Sequence, residues 1–216
     1  MIFASFPLCR GPSAEARPFC GTRKAMVSAM ISKLALILLA LGTAAHGAMA
    51  IVVSVPDQKL AVVRDGERVA QFSISTSKFG VGDRPRSFGT PLGALQVAAK
   101  FGASAPQGAV FRNRRMTGEI LRPDAPGRDP IVTRILHLRG LQGGNANAYA
   151  RGIYIHGTAE ERNIGRPASY GCIRMRSRDV VRVFDAVPVG TRVEIVNASM
   201  SAGIREVTPQ HLIAVR

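Results

Sequence analysis

Two side chains in this sequence could do covalent chemistry together. His156 stands in Tyr154-Ile155-His156-Gly157, and Cys172 follows a short loop later in Ser169-Tyr170-Gly171-Cys172-Ile173-Arg174. A thiol becomes a strong nucleophile once its proton is removed, and a neutral imidazole is suited to removing it near neutral pH. Gly171 leaves the backbone open beside the thiol, so the N–H groups of Gly171 and Cys172 are the expected donors to an oxyanion. No Asp or Glu is placed by the sequence to orient His156, which leaves a backbone carbonyl as the expected orienting group. A zinc site is not expected, because Cys172 and the histidines lack a recognised ligand spacing.

These residues need elements that bring them to one face. Strand periodicity puts Ile153 and Ile155 on one side of a short strand and Tyr154 with His156 on the other. The same period puts Ile173 and Met175 on one side of the returning segment, with Cys172 and Arg174 opposite. Arg174 would then lie beside the thiol, lowering its pKa and offering a fork to a substrate carboxylate. A lone cysteine is ordinarily a small buried hydrophobe. Cys172 is set apart by its Gly and Arg neighbours and by the histidine at a strand end. His137 and His211 read as structural or solvated.

Residues 1–25 show no sustained period and read as a disordered leader or an over-long start. Residues 26–50 then carry Lys33, the apolar run Leu34 to Leu41 and the small-residue site Ala48-Met49-Ala50, the pattern of a cleaved signal peptide. The apolar run is too short for the roughly 20 residues that span a bilayer, so the only membrane contact expected is transient. Cleavage after Ala50 removes Cys9 and Cys20, leaving Cys172 as the sole thiol in an oxidising compartment. The whole chain has 29 Lys+Arg against 14 Asp+Glu, mostly arginine on the basic side, and residues 51–216 keep 24 against 13. Such a field favours anionic partners. A nucleic-acid binder nevertheless conflicts with export and lacks interleaved aromatics, there being no Trp and 6% aromatic residues in all.

Residues 51–196 read as one mainly β domain, a sandwich or mixed sheets with one main helix at about 177–187 and long loops. Strand signals run over 51–55, 59–63 and 68–75, with Asp65-Gly66 as a hairpin turn, and these strands should form the first edge of a sheet. Further strands are expected at 94–100, 131–139, 152–156 and 191–196. Residues 78–93 and 102–130, rich in Gly, Pro and Arg, read as long loops. Ser177 is the expected N-cap of the helix, with Asp179 in its first turn and Val180, Val183, Phe184 and Val187 on its apolar face. Residues 197–216 form a tail without clear pattern.

The pair Ile155-His156-Gly157-Thr158 and Ser169-x-Gly171-Cys172-Ile173-Arg174-Met175 resembles the signature of the YkuD-type L,D-transpeptidases, cysteine enzymes of bacterial peptidoglycan remodelling. Thr90-Pro91-Leu92-Gly93, Arg115 to Glu119 and Thr133 to Leu136 resemble the family's upstream and middle segments, so the likeness runs from about Ile51 to Val196. The resemblance implies an L,D-transpeptidase-like fold and a Cys172 thioester on the third residue of a stem peptide, with terminal D-alanine expelled. The acceptor would be a second stem, giving a 3-3 cross-link, an envelope protein's lysine, or water. It implies His156 as base, the Gly157 carbonyl as its orienting group, and Ser169, Gly171, Arg174, Tyr154 and Tyr170 around the substrate. No cofactor is implied, and the setting is the periplasm or cell envelope. Tyr170 departs from the family, which often has a second histidine before Gly-Cys, and this puts donor geometry or acceptor choice in question. The rival readings are a hydrolytic L,D-carboxypeptidase or endopeptidase of the same fold, and a non-catalytic basic wall-binding module.

Overall fold

The computed structural model describes residues 48–208. The leader, the apolar run, Cys9, Cys20 and His211 lie outside the described residues. Ten strands form one mixed sheet, in the order β4-β10-β1-β2-β3-β9-β8-β7-β5-β6. They are β1 Met49–Ser54, β2 Lys59–Arg64, β3 Glu67–Ser75, β4 Gly93–Phe101, β5 Ala109–Arg112, β6 Arg115–Ile120, β7 Ile131–Gly140, β8 Tyr154–Thr158, β9 Ile173–Met175 and β10 Arg192–Val196. Because β4 also pairs with β7, the sheet closes on itself, and the β5–β6 hairpin hangs from the start of β7. The enclosed core is aliphatic, built on Ile51, Leu60, Ile74, Leu95, Leu136, Ile155, Ile173 and Met175.

The Asp65-Gly66 turn joins β2 to β3 as expected, with φ of 53° and 82°, the left-handed pair of a type I′ hairpin. The first three strands are not at an edge, however. β1 pairs in parallel with β10, Ile51 opposite Val193, and β3 borders β9. Those partners come from the far end of the chain, so no local pattern announces them. β1 also begins at Met49, two residues before the expected cleavage point, with Ala50 opposite Val63 and Arg192.

The expected loop 102–130 contains β5 and β6. β6 is exposed along its whole length, so it shows no alternation of apolar and polar positions to read. Its turn uses Asn113 and Arg114 at φ 50° and 65°. Helix α1 spans Ser177–Ala186 and packs on β7 and β8. Its N-cap is Arg176 rather than Ser177. The Ser177 hydroxyl instead accepts a hydrogen bond from Thr133 Oγ1 at 2.8 Å, and its N–H donates to Glu161 at 2.7 Å. At the other end, Lys100 Nζ donates to the carbonyls of Phe184 and Val187, closing the helix where its dipole favours a cation.

The expected tail contains a second helix, α2, Met200–Val207. Ser199 caps it by accepting from the Ala202 N–H, and the Met200 N–H is held by Asp57 at 2.7 Å. Met200, Ile204 and Val207 cover Val52, Ala61 and Val63 on the outer face of β1 and β2. The helix lies so close that a Cβ on Gly203 would come within 2.6 Å of Val52 Cγ1 and 2.9 Å of Val196 Cγ2. Gly203→Leu should therefore lower stability by about 1–3 kcal/mol in urea unfolding while leaving alkylation of Cys172 unchanged. An unchanged midpoint would mean that α2 does not rest on this face.

Candidate active site

β8 and β9 run parallel, with Ile155 opposite Ile173 and His156 opposite Arg174. The isoleucines enter the core, so the intervening side chains must share the other face. Cys172, one residue before β9, is thereby a diagonal neighbour of His156 on that face. Its thiol is half-buried and free; Sγ receives the Tyr154 N–H at 3.4 Å and directs its own proton to the Gly152 carbonyl, also at 3.4 Å.

His156 is buried, and its Nδ1 lies 2.8 Å from the Gly157 carbonyl. A carbonyl can only accept, so Nδ1 carries the proton and Nε2 is left as the basic nitrogen. Gly157 can hold this position because it has no side chain: a Cβ there would sit 2.6 Å from the Val132 carbonyl and 3.1 Å from Thr133 Cβ. The crowding comes from a break in β7. Thr133, at φ 71°, lies between the part of β7 that pairs with β5 and the part that pairs with β4. A β-branched residue in that region is strained, and Thr133 is held there by the Gly108 N–H and by Ser177.

The turn before Cys172 is pinned from several sides. Ser169 is fully buried, donates to the Cys172 carbonyl at 2.6 Å and accepts from the Gly171 N–H at 3.2 Å. Thr90 Oγ1 donates to the Gly171 carbonyl at 3.1 Å. Two expectations change. The Gly171 N–H is committed to Ser169 and is not a spare oxyanion donor, and Ser169 holds backbone rather than lining the recess. Gly171 is required by its φ of 119° and by Gly89 O and Ile153 Cδ1, each 3.2 Å from where a Cβ would be. It is the protein's own backbone and side chains that approach it closely there.

Arg174 is also differently employed. Its Nη1 lies 2.7 Å from Asp129 Oδ2, with both side chains about 11% exposed, and 3.4 Å from the Ala168 carbonyl. Asp129 Oδ1 in turn accepts from Thr158. Arg174 borders a recess with Lys78, Asp129, Glu160 and Arg166, which adjoins the one that contains Cys172 at Tyr170. The Cys172 recess, about 450 Å³, is bordered by Arg86, Phe88, Asn147, Arg151, Gly152 and Tyr170 among others. Tyr170 borders both, exposed and packed against Phe79 and Phe88, with Lys78 Nζ 4.5 Å above its ring and 3.1 Å from its hydroxyl. Tyr154 stands at the edge of His137, whose Nε2 meets the Tyr149 carbonyl at 3.0 Å; His137 is structural, as expected.

Sequence reading missed Arg151. It lies on the chain before β8 and holds the loop around Gly82–Gly89 with its four terminal N–H bonds, to Gly82 O, Asp83 Oδ1, Ser87 O and Gly89 O. Asp83 and Arg151 form a nearly buried ion pair at 2.6 Å. The signal was present in Asp83 and the Gly/Pro-rich loop, but only the fold brings that loop to Arg151. Among the described residues no group of His, Cys, Asp and Glu could hold a metal.

Burial dominates the titration of both Cys172 and His156. It pushes the Cys172 thiol up, against the Tyr154 N–H and the Arg174 and Arg151 cations, which lower it. It pushes His156 down to about 4, assisted by Arg174 and opposed by the Gly157 carbonyl and Asp129. Both groups are therefore neutral at rest. An imidazole that titrates near 6.5 unfolded and near 4 folded binds its proton first in the unfolded chain, so stability falls as pH drops between these values. Between pH 7 and 5 the loss from His156 should be about 2 kcal/mol in urea unfolding. His156→Gln should remove that increment of pH dependence, and an equal slope in both proteins would refute the buried neutral imidazole.

Residues 48–195 match the profile of the YkuD family, described as the L,D-transpeptidase catalytic domain. The Bacillus subtilis protein named "Putative L,D-transpeptidase YqjB" is 30% identical over 166 residues, covering 77% of this chain and 80% of that protein. The Bacillus licheniformis protein YkuD is 40% identical over 79 residues, 36% of this chain and 48% of that one. Among solved structures, an L,D-transpeptidase from Mycobacterium smegmatis overlays with a TM-score of 0.44 at 22% identity, covering 69% of this chain and 59% of that one. With the match to residues 48–195 and the extent of its likeness to YqjB, this chain belongs to the YkuD family of L,D-transpeptidase catalytic domains.

Proposed function

We propose that this chain is an exported L,D-transpeptidase that acts on peptidoglycan stem peptides through a thioester on Cys172. The observation that carries the reading is the commitment of His156 Nδ1 to the Gly157 carbonyl, which leaves Nε2 as proton acceptor on the face that Cys172 shares. Export follows from the signal-peptide pattern of residues 26–50, with residues 51–196 as the catalytic domain and 197–216 as its C-terminal extension.

Acylation begins with transfer of the thiol proton to His156 Nε2 as Sγ bonds to the carbonyl carbon of the third stem residue. The Tyr154 N–H, already directed at Sγ, favours the charge that develops there. Collapse of the tetrahedral adduct breaks the bond to the terminal D-alanine, whose amine takes the proton from His156. In the second half an amine of another stem, or of an envelope protein's lysine, gives a proton to His156 as it attacks the thioester. The Cys172 thiolate leaves and recovers that proton. With water in place of the amine the same steps give hydrolysis, and product analysis with and without an added amine separates the two outcomes.

Tyr170, standing where relatives often carry histidine, contributes packing against Phe79 and Phe88 and a hydroxyl beside Lys78, with no titratable base. His156 is the base in this reading, so Tyr170 shapes the mouth of the recess and leaves proton transfer intact. Purified residues 51–216 should gain the mass of a tripeptidyl adduct on Cys172 with tetrapeptide stems, and a covalent carbapenem adduct. Cys172→Ala should abolish both. A wild-type chain inert to both reagents while Tyr170→His reacts would move the proton-transfer role to position 170.

A further inference from the structure

The recess beside Cys172 holds two cations, Arg86 and Arg151. The terminal N–H bonds of Arg151 are all taken by the loop it holds, and Arg174, with its Nη1 on Asp129, borders the other recess. Lys78 is occupied with Tyr170 and also borders that other recess. Arg86 has no side-chain partner among the described residues and is exposed on the wall of the Cys172 recess.

Its backbone is also unusual. The Ser87 N–H closes a turn onto the Arg84 carbonyl at 3.0 Å, with Pro85 at the second position and Arg86 at the third. Arg86 sits at φ 63°, the left-handed conformation that the third position of a type II turn demands and that glycine or asparagine ordinarily fills. Arginine there is strained, and it is kept in place because Arg151 holds the carbonyls of Gly82, Ser87 and Gly89 on either side. A strained loop tip is thus aimed, by a buried ion pair, at the recess that contains the nucleophile.

We infer that Arg86 receives the free α-carboxylate of the residue that leaves the donor stem, and so makes acylation of Cys172 selective for stems ending in a free acid. The inference rests on the stem-peptide reading above. In such a donor the carboxylate lies one residue beyond the scissile carbonyl, about 3.5 Å along the chain, within the same small recess as Sγ. A guanidinium fork matches that group in shape and charge, and the role first expected of Arg174 passes to the arginine that is free to perform it.

The test follows acylation of Cys172 by intact mass, using a stem tetrapeptide as its free acid and as its C-terminal amide. Wild-type protein should react faster with the acid. Arg86→Gln should slow the acid about 10- to 100-fold while changing the amide less than about threefold. Arg86→Lys should recover part of the loss, as a point charge without the fork. Arg86→Gly, which relieves the turn, should lose the acid preference without a fall in Tm. Equal slowing of acid and amide would make Arg86 a loop-shaping residue, and no slowing of either would leave it without a role; each result overturns the inference alone. Wild-type protein acylated by neither peptide overturns it together with the stem-peptide reading.

Discussion

The pairing of β8 with β9 in one register is the constraint on which the site depends. Ile155 opposite Ile173 commits both strands' apolar faces to the core, and the residues between them are then forced onto the recess side together. A slip of one residue would turn His156 into the aliphatic core and bring an isoleucine to the recess side, so the hydrophobic core fixes the face that His156 and Cys172 share as firmly as it fixes the fold. The remaining structure serves this pairing. The Thr133 break crowds Gly157 and so fixes the carbonyl that orients the imidazole, while Ser169 and Thr90 hold the turn that delivers Cys172.

Three arginines close to the site divide the electrostatic work. Arg151 is spent entirely on loop carbonyls and Asp83, Arg174 is balanced by Asp129, and Arg86 stands open on the recess wall. The paired cations act on Cys172 and His156 at a distance without outweighing burial, so the resting site holds a neutral thiol beside a neutral base. Charge then appears only as the proton moves, in surroundings already furnished with the Tyr154 N–H and flanking guanidinium groups. The overall basic composition, which reads from sequence as a diffuse anionic preference, becomes a set of distinct local duties.

Much of this was legible in the chain itself. The alternation around Ile153, Ile155, Ile173 and Met175 was enough to assign the faces of His156 and Cys172, because a strand buried on one side must declare its period. Asp65-Gly66 announced its hairpin for a similar reason, each residue being one of the few types that tolerate positive φ. What escaped was non-local or uniformly exposed: the parallel pairing of β1 with β10, the wholly exposed β6, and the short helix Met200–Val207 that covers Val52. Ser169, Gly171 and Arg174 lie beside Cys172 in sequence, where a place facing substrate is expected, yet the protein's own Cys172 carbonyl, Gly89 carbonyl and Asp129 engage them. Proximity along the chain identified the neighbourhood, but only the fold shows which groups are already satisfied.

In the proposed mechanism Cys172 waits as a neutral thiol beside a neutral His156 and is activated by proton transfer during reaction. The pH dependence of Cys172 alkylation by iodoacetamide, followed by mass on the Cys172 peptide, tests it most directly. The rate should climb with pH through a single thiol titration above the ordinary cysteine range, with no reactive plateau in the acid range. A plateau of thiolate reactivity extending below pH 7, lost in His156→Gln, would instead reveal a preformed thiolate–imidazolium pair and rule out the neutral resting site.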